Sequence, residues 1–103
     1  MYLCNMKYVI SEHKLDKLIF DVIDSYLKNR ANTDFTSYIV YYSSGNDEEV
    51  LVEYDYDDGR LYIEKDFLML ISNMFGLTEK EGQIKIHDWF IFTEGITAKY
   101  LDT

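Results

Sequence analysis

Four carboxylates sit where a calcium loop would place them. Glu53, Asp55, Asp57 and Glu64 occupy the first, third, fifth and twelfth positions of such a loop. Three features oppose that chemistry. The first ligand is glutamate, Asp58 stands where a glycine must make the sharp turn, and the flanks read as strands rather than helices. A solvated hairpin tip is the better reading. His87-Asp88 has the form of a general base with an orienting carboxylate. No serine or cysteine lies in a nucleophile motif beside it, and there is no glycine-rich phosphate loop and no His/Cys metal spacing. His13, the other histidine, falls among charged residues near a helix start and is expected at the surface. The residues therefore point to no enzyme, no catalytic or metal-binding residue and no cofactor.

Charge and aromatic placement are more informative. Between Ala31 and Gly59 there is no lysine or arginine but eight acidic residues: Asp34, Asp47, Glu48, Glu49, Glu53, Asp55, Asp57 and Asp58. The flanking thirds are nearly balanced, so this segment holds most of the net charge of −9. It also contains Tyr38, Tyr41, Tyr42, Tyr54 and Tyr56. A concentrated negative field with amphipathic rings suits a protein-binding surface. Glu49, Glu53, Asp55, Asp57, Asp58 and Tyr62 are the expected partner-binding residues, and the expected partner is basic or itself nucleic-acid-binding. Direct contact with nucleic acid is not expected, because phosphate binding needs clustered Lys and Arg. An anionic membrane surface is disfavoured for the same reason. Carboxylates along adjacent strands could instead imitate a phosphate ladder and occupy a basic groove. Reversing Glu49, Glu53 and Asp55 to lysine is then expected to abolish binding without unfolding the domain.

The elements that position these residues follow from periodicity. At 103 residues the chain is one domain, 1–103, and its 48% apolar and 17% aromatic content can build a core. No apolar run is long enough to span a bilayer, no secretory signal pattern opens the chain, and a single Cys4 favours a reducing compartment. Met6 could serve as a start, which would make residues 1–5 an N-terminal extension. A short N-terminal strand precedes a helix over 12–29. Leu15, Leu18, Ile19, Val22, Ile23, Tyr26 and Leu27 form its apolar stripe, Ser11 its N-cap, Ile10 and Leu15 a staple, and Asp24 with Lys28 an i,i+4 pair.

Residues 37–64 read as a three-stranded antiparallel meander, covered on one side by that helix. Val50, Val52, Tyr54 and Tyr56 face one way, and Glu49, Glu53 and Asp55 the other. Asp58-Gly59 marks a tight hairpin. Strand addition at an exposed meander edge offers another docking mode. A second helix over 66–75 ends at Gly76-Leu77, and Thr78-Glu79-Lys80-Glu81 is a capping box for a third over 79–92. Trp89, with Phe90 and Phe92, could anchor an interface, but closing the core against the second helix is the stronger expectation. Residues 96–101 supply a closing strand. The fold class is α+β: an N-terminal helix, the meander, two C-terminal helices and a short closing strand.

Ile10-Ser11-Glu12 leading into Leu15–Phe20, then Gly59-Arg60-Leu61-Tyr62-Ile63, Phe75-Gly76-Leu77 and Ile86-His87-Asp88-Trp89-Phe90 resemble a group of small proteins of tailed bacteriophages, many of them marine. The likeness covers most of residues 6–101 and rests on structural motifs. The chain departs from the group in its longer, more acidic middle and in Gly82, where a helix former would sit better. The resemblance implies viral origin and the host cytoplasm, and assigns no activity and no residue role. The functional expectation is a non-enzymatic phage-like protein acting by protein–protein binding, with inhibition of a host protein by nucleic-acid mimicry as its sharpest form. The alternative is a structural or decoration component of the virion.

Overall fold

The computed structural model describes residues 12–32, 39–44 and 49–103. The N-terminal strand, residues 1–5, Cys4, the Ser11 cap, the Ile10 staple, Asp34, Tyr38, Asp47, Glu48 and the side chain of His13 lie outside the described part. Among the described residues, three helices stand against a mixed five-stranded sheet in an α+β arrangement. The elements run α1 (Glu12–Tyr26), β1 (Asn29–Asn32), β2 (Ile39–Ser43), β3 (Val50–Asp55), β4 (Arg60–Ile63), α2 (Lys65–Phe75), α3 (Glu79–Glu94) and β5 (Tyr100–Asp102). Strand order is β1-β2-β3-β4-β5. The first three joints are antiparallel and the last, β4 with β5, is parallel. The expected meander is present as β2–β4, but it is flanked on both sides. Its edges are taken by β1 and β5, so neither is available for strand addition.

The first helix is shorter than its stripe suggested. It stops at Tyr26, and Asn29–Asn32 pair with β2 instead. Lys28 therefore lies beyond the helix, and Asp24 has a different partner: its carboxylate accepts from Trp89 Nε1 at 3.1 Å. Ladder bonds to β2 and burial of Leu27 outweigh one more turn of helix.

The core is aromatic at its centre. Val40, Tyr42, Val52, Tyr54, Leu61 and Ile63 point inward from the sheet, and Ile86, Trp89 and Phe90 meet them from α3. Tyr42 lies edge-on to Trp89 at 5.0 Å and to Phe90 at 6.4 Å, while Tyr54 packs on Phe90 at 4.8 Å. Each such ring pair is worth about 0.5–1.5 kcal/mol beyond area burial. The rings laid on the sheet thus come from α3, where the periodicity pointed to the first helix. Trp89 is a core residue, as expected, in one cluster with Phe67, Leu68 and Ile71 of α2, and it also meets Tyr42 edge-on and donates to Asp24. Ile19, Ile23 and Leu27 join the same core from α1 and its end.

Both C-terminal helices carry the signals read from their sequence. Glu64 caps α2, accepting from Asp66 and Phe67 amides, and Gly76 at φ 66° ends it with Leu77 N bonded to Ser72 O at 2.7 Å. The Thr78–Glu81 capping box of α3 is closed in both directions, at 3.1 and 2.8 Å. Within α3, Gly82 has a packing reason. A Cβ there would stand 2.2 Å from Ser72 Oγ and 2.9 Å from Leu68 Cδ1, so the glycine lets α2 and α3 approach closely. Gly82→Ala gains about 1 kcal/mol of helix propensity but overpacks a tight contact, which costs about 1–3 kcal/mol. A net loss of stability is expected in urea melts, and a smaller one in the Ser72→Ala background, where the nearest atom is gone and the Leu68 contact remains. Equal stabilisation by Gly82→Ala in both backgrounds would contradict the close-approach account.

Candidate protein-binding face

The outward face of the sheet is built by register. Ala31, Tyr41, Glu53, Tyr62 and Asp102 form one cross-strand row, and Ile39, Asp55, Arg60 and Tyr100 form the next. Along β2, β3 and β4 these positions alternate with the buried Val40, Tyr42, Val52, Tyr54, Leu61 and Ile63, as a pleated sheet requires. Tyr62 is 41% and Tyr100 55% exposed. Arg60 lies 5.2 Å over the Tyr100 ring, and its Nη1 is 3.3 Å from Asp102. This face combines ring edges, carboxylates and one cation, and so offers both area and charge to a partner.

Of the six expected binding residues, Glu53 and Tyr62 are direct cross-strand neighbours on this face. Asp55 is beside them, but its carboxylate is engaged locally. Oδ1 accepts from the amides of Asp57 at 2.9 Å and Asp58 at 3.4 Å and shapes the loop. Reversing Asp55 to lysine would therefore damage the hairpin itself. Asp57 and Asp58 stand exposed at the tip. The turn is also wider than Asp58-Gly59 suggested: it spans 56–59, closed by Gly59 N on Asp55 O at 2.8 Å. Within the turn only Gly59 is left-handed, at φ 71°, so the type I′ turn that Asp-Gly favours, which needs positive φ at both residues, does not form. Gly59 O in turn accepts from Lys99 N at 2.7 Å and Tyr100 N at 3.1 Å, which seats β5.

Glu49 does not belong to the face. Ser43 pairs with Val50 and Tyr42 with Val52, leaving Leu51 as an extra residue. This β-bulge turns Leu51 and Val52 both inward, at 9% and 0% exposure, and reverses the alternation before it. Glu49 thus lies on the helix side, lining a concavity with Glu64 and Asp66. The calcium-like constellation is dismantled by the same geometry. Asp55 holds the turn, Glu64 caps α2, and among the described residues no group of three or more His, Cys, Asp or Glu is placed to hold a metal ion.

Two polar sites depend on distant partners that the sequence does not show: one joins residues with no common reading in the sequence, and the other gives His87 a partner other than the Asp88 beside it. Arg30 of β1 donates to Glu94 through Nε at 2.7 Å and Nη2 at 3.3 Å, and the Tyr42 hydroxyl donates to the same carboxylate. The three residues are far apart in the chain and carry no spacing signal. Burial pushes the Tyr42 phenol far above its usual value, and the Glu94 charge adds to this. Burial alone would raise Glu94 too, but the Arg30 and Tyr42 hydrogen bonds outweigh it and hold the carboxyl below its ordinary value. His87 is the second site. Its Nε2 accepts from the Ala98 amide at 3.0 Å, so the ring fastens the segment leading into β5. Burial lowers its pKa, against the raising effect of Asp88.

No helix among the described residues is long and apolar enough to cross a membrane. No family model, curated protein or solved structure matches the chain, so the chemistry of this face rests on its own geometry.

Both titrating sites lose stability in acid, in separate windows. His87 has a folded pKa below its ordinary 6.5, so its contribution is complete above 6.5 and is lost as pH falls from there towards the folded value. Glu94 has a folded pKa below 4.5, so its contribution persists to about 4.5 and disappears as pH falls through the folded value. The Tm difference between wild type and His87→Gln should shrink between pH 7.5 and 5.5, and that between wild type and Glu94→Gln only below about 4.5. A pH-independent difference for either pair would refute the corresponding assignment.

Proposed function

We propose that the chain is a non-enzymatic protein-binding module that docks a basic partner on the outer face of its sheet. The observation that carries this reading is the adjacency of Glu53 and Tyr62 on a face that also presents Tyr41, Tyr100 and Asp102. The rings of Tyr42 and Tyr54 are consumed by the core, whereas Tyr62 and Tyr100 remain for a partner. The −9 net charge favours association with a basic surface. The resemblance to small tailed-phage proteins suggests action in the cytoplasm of an infected host. Nucleic-acid mimicry is the sharper form of the proposal, supported by Glu53, Asp55, Asp57 and Asp58 running along β3 into the hairpin tip.

The test is affinity capture from nuclease-treated bacterial lysate with the full chain, beside Glu53→Lys and Tyr62→Ala. Both variants leave the Asp55 turn intact. One dominant basic partner is expected, with affinity reduced at least tenfold (about 1.4 kcal/mol) by each change. Displacement of that partner by duplex DNA would favour mimicry. Undiminished binding by both variants would overturn the proposal, and a fixed copy number in purified particles would favour the virion component instead.

A further inference from the structure

The outer face already holds one arginine on a ring and a carboxylate. The Arg60 guanidinium lies 5.2 Å over the Tyr100 ring, inside the roughly 6 Å within which a ring face attracts a cation. Its Nη1 is 3.3 Å from Asp102 Oδ2, two residues further along the same strand. The ring takes the flat of the group and the carboxylate takes its N–H edge. Both partners come from β5, and both are committed to Arg60.

The neighbouring row repeats these two ingredients without the cation. Tyr41, Glu53 and Tyr62 are consecutive cross-strand partners on β2, β3 and β4, so a tyrosine flanks the carboxylate on either side. Side chains paired in this way start about 4.5–5.5 Å apart, close enough for one planar group to touch a ring and the carboxylate together. Among the described residues the Glu53 carboxylate has no hydrogen bond or ion pair, and the side chains of Tyr41 and Tyr62 have no hydrogen bond or ring contact. Glu53 is half-buried, and Tyr62 is 41% exposed. Arg60 has Asp55 opposite it in the register and Asp102 in contact, so its charge is met without Glu53.

A lysine ammonium is a compact, strongly hydrated point charge. A guanidinium is planar and weakly hydrated, and can stack on a ring while its edge donates to a carboxylate. We propose that the row of Tyr41, Glu53 and Tyr62 receives an arginine side chain of the protein partner, held as Arg60 is held by Tyr100 and Asp102. The proposal rests on the outer-face reading and deepens it, naming the side chain that is recognised and the three residues that recognise it.

The probe is a capped pentapeptide whose one charge is an arginine between two glycine pairs, titrated into the isotope-labelled full chain and followed by amide chemical shifts. Lysine and citrulline in place of the arginine give the comparisons, the first keeping the charge and the second the planar shape. Saturable shifts are expected at Tyr41, Glu53 and Tyr62, several-fold tighter for arginine than for lysine and absent for citrulline. Glu53→Gln and Tyr62→Leu should each weaken binding about two- to fivefold. Tyr62→Phe, which returns the ring, should recover what Tyr62→Leu loses, and Asp21→Asn, which removes a charge from α1, should change nothing. The amide spectrum before titration reports that each variant is folded. Shifts that do not saturate, equal or tighter binding of the lysine peptide, saturation by citrulline, or full binding by folded Glu53→Gln or Tyr62→Leu would each overturn the proposal. A captured partner lost in Glu53→Lys and Tyr62→Ala, beside an arginine peptide that does not bind, would sink this proposal and leave the outer-face reading standing. A captured partner that survives both substitutions would sink both.

Discussion

Tyr42 joins the two layers of this protein by both ends of its side chain. Its ring lies in the core against Trp89 and Phe90, and its hydroxyl reaches Glu94 in the last turn of the same helix. A carboxylate at a helix C-terminus meets the negative end of the dipole, and one this buried needs compensation. Arg30 provides it from β1, directly opposite Tyr42 in the register. One cross-strand pair therefore sets the position of α3 along the sheet. Trp89 passes the constraint on, since its indole N–H is held by Asp24 of α1.

The second layer of constraint is steric. Gly82 brings α3 within close reach of α2, and Gly59 lets the hairpin loop receive the amides of Lys99 and Tyr100. His87 adds a side-chain bond to Ala98 just before that junction. The parallel strand β5 is thus fixed by a loop carbonyl and an imidazole as well as by its ladder with β4. Its docking contributes Tyr100 and Asp102 to the outer face, where Arg60 ties them to the meander.

The bulge opposite Tyr42 and Ser43 divides the acidic segment between the two sides of the sheet. One extra residue moves Glu49 away from Glu53 and Asp55, so charges that look continuous in the chain serve different surfaces. Several of these carboxylates also have structural duties. Asp55 shapes a loop, and just beyond the segment Glu64 caps a helix, so of the segment's described carboxylates Glu53, Asp57 and Asp58 are left to the outer surface, beside Asp102 of β5. Net charge alone overstates how much negative surface is available for recognition.

Local signals were legible wherever the physics is local. The caps at Thr78 and Glu81, the left-handed stop at Gly76, the alternation of Val52 with Tyr54 and the cross-strand match of β3 with β4 all follow from near neighbours in the chain. So does the concentration of acid and tyrosine that marks the middle third. What the chain alone could not disclose depends on distant partners. Asn29–Asn32 becomes a strand only because β2 offers it a ladder, and β5 pairs with β4 only after two helices return the chain. Arg30, Tyr42 and Glu94 have no common spacing, and a bulge leaves no mark in a run of apolar residues. The role of Gly82 is visible only when Ser72 of another helix stands beside it. Periodicity reports which side of an element is buried; contact between elements decides what it is buried against, and that is set by tertiary packing.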